Sequence, residues 1–127
     1  MTLPADDAPV YAIRFTHRAL ADRDAEAARY RSFIGDEIAD EWIEGLLDAI
    51  ATLATMPIRA LAPENDRFRY EIRQLTYRRR PHAPTYRILY TLRQDLEEGP
   101  TATIFHIRHG ARRPITRREA REMEGEL

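Results

Sequence analysis

Cysteine is missing from this 127-residue chain, and so is lysine: all 20 basic residues are arginine. Without thiols neither a disulfide framework nor a thiolate metal site can form, which suits a reducing compartment and makes the cytoplasm the expected location. Also missing is any apolar run near the roughly 20 residues that cross a bilayer. The opening MTLPADDAPV has neither the basic nor the apolar region of a secretory signal. No membrane partner is expected, and no function is read from the arginine bias. The length suits one compact domain with a single core.

The formal net charge of −1 conceals an uneven distribution. Residues 1–64 hold 6 Arg against 12 acids, and residues 65–127 hold 14 Arg against 9. Within residues 67–118 there are 13 Arg and only 4 acids. An excess of that size attracts polyanions or an acidic partner segment, unless it is only a solvated basic face.

Residues 1–9 read as a disordered leader, residues 10–115 as the folded domain, and residues 116–127 as a tail or short helix capped at Thr116. VYAIRF alternates as a first strand. Thr16 caps a helix over 17–34 whose apolar stripe (Leu20, Ala27, Tyr30, Ile34) is thin. Gly35 interrupts it. Asp36 then begins the clearest helix, with Ala39, Trp42, Ile43, Leu46, Ile50 and Leu53 at steps of three and four, closed by Pro57. The two helices form a hairpin. FRYEIRQL alternates as a second strand with Phe68, Tyr70 and Ile72 on one face. The basic stretch 77–82 is a loop or sheet edge because of Pro81 and Pro84. TYRILYTL and TATIFHIRH supply strands three and four, the latter with Phe105, Ile107 and His109 on one face and Ile104, His106 and Arg108 on the other.

The order predicts an α+β fold: an N-terminal strand, a helical hairpin, and a three-stranded antiparallel meander whose second face, bearing Arg73 and Arg87, stays partly open. His106 and His109 do not make a metal pair, since a three-residue step along a strand turns side chains to opposite faces. No metal or cofactor is expected.

Several pieces, VYAIRFTHRALAD, the helix with Ala39 and Trp42 ending in LATMP, EIRQL, YRILY and IRHGAR, occur in an order that resembles the RelE/ParE superfamily of toxins from type II toxin–antitoxin systems, the plasmid stabilisation proteins. The resemblance spans residues 10 to about 115. It implies growth inhibition, neutralisation by a cognate antitoxin, and assembly as a homodimer or a toxin–antitoxin hetero-oligomer. Two targets are implied by its two branches: ribosome-bound mRNA, cut by an endoribonuclease, or DNA gyrase, inhibited by binding. For the cutting branch the resemblance places Arg87, Arg112, His109 and Glu64 as catalytic candidates. No counterpart of the C-terminal Tyr or Lys of several nucleases is present, since Arg117 and Arg118 occupy that stretch. The wording of EIRQL and HGARR is closer to the gyrase branch.

The residues themselves allow the chemistry. Cleavage by the RNA 2′-hydroxyl needs a base, positive charge for the phosphorane and a proton for the leaving oxygen. Arg87 and Arg112 suit the charge, and His109 or Glu64 the protons. Arg73, Arg78, Arg79 and Arg113 are candidates for contacting phosphate or nucleic acid. Two plainer readings stand beside this: Arg87 paired with Glu71 across strands, and His109 at a sheet edge. A non-toxic nucleic-acid-binding module of the same fold is a further alternative.

Overall fold

The computed structural model describes residues 8–127, so most of the expected leader, residues 1–7, lies outside the described residues. Strand β1 is Ala12–Phe15, helix α1 His17–Phe33, helix α2 Asp36–Ala51, β2 Arg73–Arg78, β3 Thr85–Arg93, β4 Thr101–His109 and helix α3 Arg117–Glu124. Short 3-10 turns occupy Thr52–Ala54 and Asn65–Arg67. The strands form one sheet in the order β1-β4-β3-β2. The antiparallel meander and the hairpin are as the sequence predicts. β1 runs parallel to β4, as an opening strand separated from its neighbour by a helical crossover can.

Thr16 starts α1, its hydroxyl accepting from the Ala19 N–H at 3.2 Å. The Ile34 and Gly35 N–H groups both close on the Tyr30 carbonyl, and Gly35 turns the chain at φ +136°, a conformation that favours glycine. α2 then follows with Asp36 and Glu37 at its positive end. Its apolar stripe buries Ala39, Trp42, Leu46 and Ile50 almost completely. Trp42 is the hub of this core, with ring centroids 5.6 Å from Tyr30, 5.1 Å from Tyr86 and 6.5 Å from Tyr77. The Tyr77 hydroxyl donates to the Trp42 carbonyl at 3.0 Å, where Gly45 lets the ring against the helix.

Three expectations need correction. The strand expected over 68–75 begins only at Arg73, because the Asn65–Arg67 turn and the Asn65 side chain, which accepts from the Ile72 N–H at 2.7 Å, coil the preceding residues. It runs on through Arg78, as an edge strand that Pro81 does not interrupt. Strict alternation also fails in β4. His106 pairs with Leu89 and Ile104 with Tyr90, which leaves Phe105 as an extra bulged residue. Phe105 therefore faces away from Ile107, into a second apolar cluster with Phe68, Ile72, Leu89, Ile115, Ala120 and Met123. That cluster is the third correction, since the second face of the sheet is covered by residues from 62–72 and by α3. α3 itself has the full capping box between Thr116 and Glu119.

Replacing a helical glycine by alanine ordinarily gains about 1 kcal/mol. At Gly45 the added Cβ would overlap the Tyr77 hydroxyl. Gly45→Ala is expected to lower stability in urea unfolding by about 1–3 kcal/mol, the range of an overpacked core. Adding Tyr77→Phe should restore part of the loss. A stabilised Gly45→Ala would contradict the close approach.

Candidate functional site

Beneath the C-terminal segment lies a row of charges that the sheet register assembles. Arg87 on β3 and Arg108 on β4 are direct cross-strand partners. Two guanidinium groups side by side repel, so burial requires an acid or an acceptor for each. Glu64, only 2% exposed, supplies the acid for Arg87. Arg87 Nη2 donates to Glu64 Oε1 at 2.5 Å and Nη1 to Oε2 at 3.0 Å, while its Nε donates to Gln74 Oε1 at 2.8 Å. The Ile115 N–H also donates to Glu64 Oε2, at 3.0 Å. Burial by itself pushes the Glu64 carboxyl up, but the Arg87 and Ile115 hydrogen bonds and the Arg87 charge outweigh it and bring the pKa to about 2.

Arg108 is equally buried, and among the described residues no carboxylate forms a salt bridge with it. Its Nη2 donates to the Arg113 carbonyl at 2.7 Å, and Nη1 lies 3.4 Å from His106 Nε2. Its Nε has no hydrogen-bond partner among the described residues. Desolvation, with the Arg112 charge beside it, lowers the Arg108 pKa. His106 Nδ1 is 2.7 Å from Asp22 Oδ2, which also accepts from the Ile107 N–H at 3.0 Å. With Nε2 facing a guanidinium N–H, the ring proton belongs on Nδ1, donated to Asp22. Asp22 thereby satisfies the edge of β4 where β1 has ended.

The four catalytic candidates do not converge. Glu64 and Arg87 meet under the C-terminal segment, and the partner expected for Arg87, Glu71, instead accepts from Arg73 at 2.8 Å. His109 lies on the opposite face with its ring 5.4 Å from Tyr86, and its Nδ1 accepts from the Ala111 N–H at 3.0 Å. Exposed Arg112 joins it along a shallow cleft of about 160 Å³, whose other walls include Asp22 and Glu26. A carboxylate held by three donors is poorly placed to take a substrate proton, and each of the three Arg87 guanidinium nitrogens already donates to an acceptor.

The phosphate-contact candidates are dispersed too. Arg73 donates to the Arg59 carbonyl at 2.6 Å, Arg78 to Thr85 Oγ1 at 2.8 Å and Arg113 to Glu119 at 2.7 Å. Arg79 stands at the hairpin end, 3.4 Å from Glu41. Sequence reading missed the Asp22–His106–Arg108 chain. Its visible signal was a histidine and an arginine inside the apolar strand TATIFHIRH; the acid sits 84 residues earlier in the chain. Among the described residues no group of three metal-ligating side chains is gathered, and no helix is long and apolar enough to cross a membrane.

The family model for the ParE toxin of type II toxin-antitoxin system, parDE, matches residues 13–114. Three chains of solved structures also match. One, described as the chromosomal ParDE TA system from P. aeruginosa, is 20% identical, with a TM-score of 0.58 over 79% of this chain and 96% of that chain. At that identity the likeness is one of fold. No curated protein matches.

Removing either member of a buried ion pair strands the other, so Arg87→Ala and Glu64→Gln are each expected to cost roughly 3–5 kcal/mol in denaturant unfolding. A double-mutant cycle should show strong coupling, and additive losses would contradict the pairing. The pH dependence has a definite sign. Glu64 titrates at about 2 in the folded chain against an ordinary 4.5, so its stabilisation is complete above about 4.5 and disappears as pH falls through about 2. Glu119 is likewise lowered to about 2, by the Thr116 N–H and Arg113. Trp42 fluorescence and amide exchange at Ile115 should report loosening in that window, and Glu64→Gln should reduce the dependence to the share that Glu119 contributes. Stability unchanged from pH 4.5 to pH 2 would refute the assignment.

Proposed function

Because the chain belongs to the ParE toxin family of type II toxin–antitoxin systems, we propose that it inhibits growth by binding DNA gyrase, and that a cognate antitoxin neutralises it. The observation that carries the choice against mRNA cleavage is the Glu64–Arg87 lock. The acid and the arginine that a nuclease would use for proton transfer and charge stabilisation spend their hydrogen bonds on each other, on Gln74 and on Ile115. His109 faces the other side of the sheet, against Tyr86, in a cleft that Arg108 and Arg112 share with the carboxylates of Asp22 and Glu26, which oppose a phosphate. A binding protein needs no convergent proton donor and acceptor, only a stable surface. The closeness of EIRQL and HGARR to ParE-like wording supports the same branch.

The test is induced expression of the full chain in a bacterial host with DNA and protein synthesis pulse-labelled separately, alongside supercoiling by purified gyrase. DNA synthesis is expected to stop first, with filamenting cells and supercoiling inhibited by the purified chain. A prior stop in translation would replace this reading with ribosome-dependent mRNA cleavage. Normal growth with soluble protein present would reduce the chain to a non-toxic module of the same fold.

A further inference from the structure

At the tip of the helical hairpin a pocket of about 200 Å³ is lined by Arg29, Tyr30, Phe33 and Ile34 of the α1 end and by Arg79 and Pro84 of the β2–β3 connection. Phe33 is 81% exposed and Ile34 60%. Single exposed apolar residues are ordinary, but two large adjacent ones bordering a concave apolar wall are the usual mark of a recognition surface. The volume is below the range of about 300–1,000 Å³ for a small-molecule site. It suits one inserted side chain.

The rim is electropositive because its cations share their acids with better-placed partners. Glu41 receives Arg80 Nε at 2.7 Å and Nη2 at 3.1 Å, which leaves Arg79 a single contact at 3.4 Å. Arg79 Nε is buried without a partner among the described residues. On the other side, Arg29 Nε lies 3.4 Å from Glu26, whose second oxygen takes the Tyr86 hydroxyl. Arg31, by contrast, is neutralised by Asp36 and Asp40 and belongs to a different edge.

We propose that this pocket docks an acidic segment of a protein partner, which inserts one large apolar side chain against Tyr30, Phe33 and Pro84 and sets its flanking carboxylates on Arg29 and Arg79. The inference rests on the reading of the chain as a toxin with an antitoxin, and it makes the antitoxin the carrier of that segment. A second copy of this chain would bring the same cations face to face. A nucleic acid would find apolar walls where it needs donors.

Two probes separate the possibilities. The full chain, isotope-labelled, is titrated with the capped tripeptides acetyl-Glu-Phe-Glu-amide and acetyl-Lys-Phe-Lys-amide, following amide chemical shifts. The antitoxin encoded beside this gene is then measured for affinity against the wild type, Phe33→Ser and Arg79→Gln. Phe33→Ser removes an exposed ring, so it leaves the fold intact. The acidic peptide is expected to shift Tyr30, Phe33, Ile34 and Arg79 saturably and to lose this in Phe33→Ser. Each substitution is expected to weaken the antitoxin about tenfold or more, as loss of a central anchor does. Equal response to both peptides, or shifts elsewhere, overturns the proposal, as does unchanged antitoxin affinity in both variants. Concentration-dependent shifts at the hairpin tip without peptide would overturn it in favour of a second copy. Failure of the antitoxin to bind the wild type would instead overturn the partner reading, while the peptide titration still decides the pocket.

Discussion

Glu64 joins three parts of the molecule that share no sequence neighbourhood. Its two oxygens receive the Arg87 guanidinium from the middle of the sheet and the Ile115 N–H from the segment leading to α3, while its own backbone belongs to the loop after α2. Removing two charges from water is costly, and the compensation is good only when every donor is used. Here Gln74 accepts from the Arg87 Nε, so each of the three guanidinium nitrogens has an acceptor. The apolar cluster of Phe68, Phe105, Ile115 and Met123 can then close over the same face, which excludes water from the pair and strengthens it. Ion pair and apolar cover each depend on the other.

The neighbouring arginine is satisfied differently. Arg108 leans on the Arg113 carbonyl and on His106, which Asp22 of α1 orients. A buried guanidinium served by neutral acceptors is a weaker arrangement than an ion pair. Its setting ties the C-terminal segment to the helical hairpin through β4. The two cores on opposite faces of the sheet are thus mechanically linked by a polar relay through it.

This arrangement bears on function, because it uses as structure the residues that would otherwise be the first choice for chemistry. The surface at the hairpin tip carries exposed Phe33 and Ile34 beside Arg29 and Arg79, and the sheet ends in the edge strand that closes at Arg78.

Much of the architecture was legible in the residues themselves. The spacing of Ala39, Trp42, Leu46 and Ile50 determined α2 and its buried face, Thr16 and Thr116 marked helix starts, and Gly35 marked the hairpin turn, because caps, periodicity and breakers act within a few residues. The alternation of Tyr86, Ile88 and Tyr90 likewise determined which side of β3 meets the helices. Tertiary structure alone decided the bulge at Phe105, the late start of β2, the cover over the second face and the partner of Arg87. Each of these depends on groups brought together across the fold: Leu89 against His106, Asn65 against Ile72, Ile115 and Glu64 against the sheet. Local rules register that an arginine lies in a strand, whereas which carboxylate reaches it is decided by register and burial.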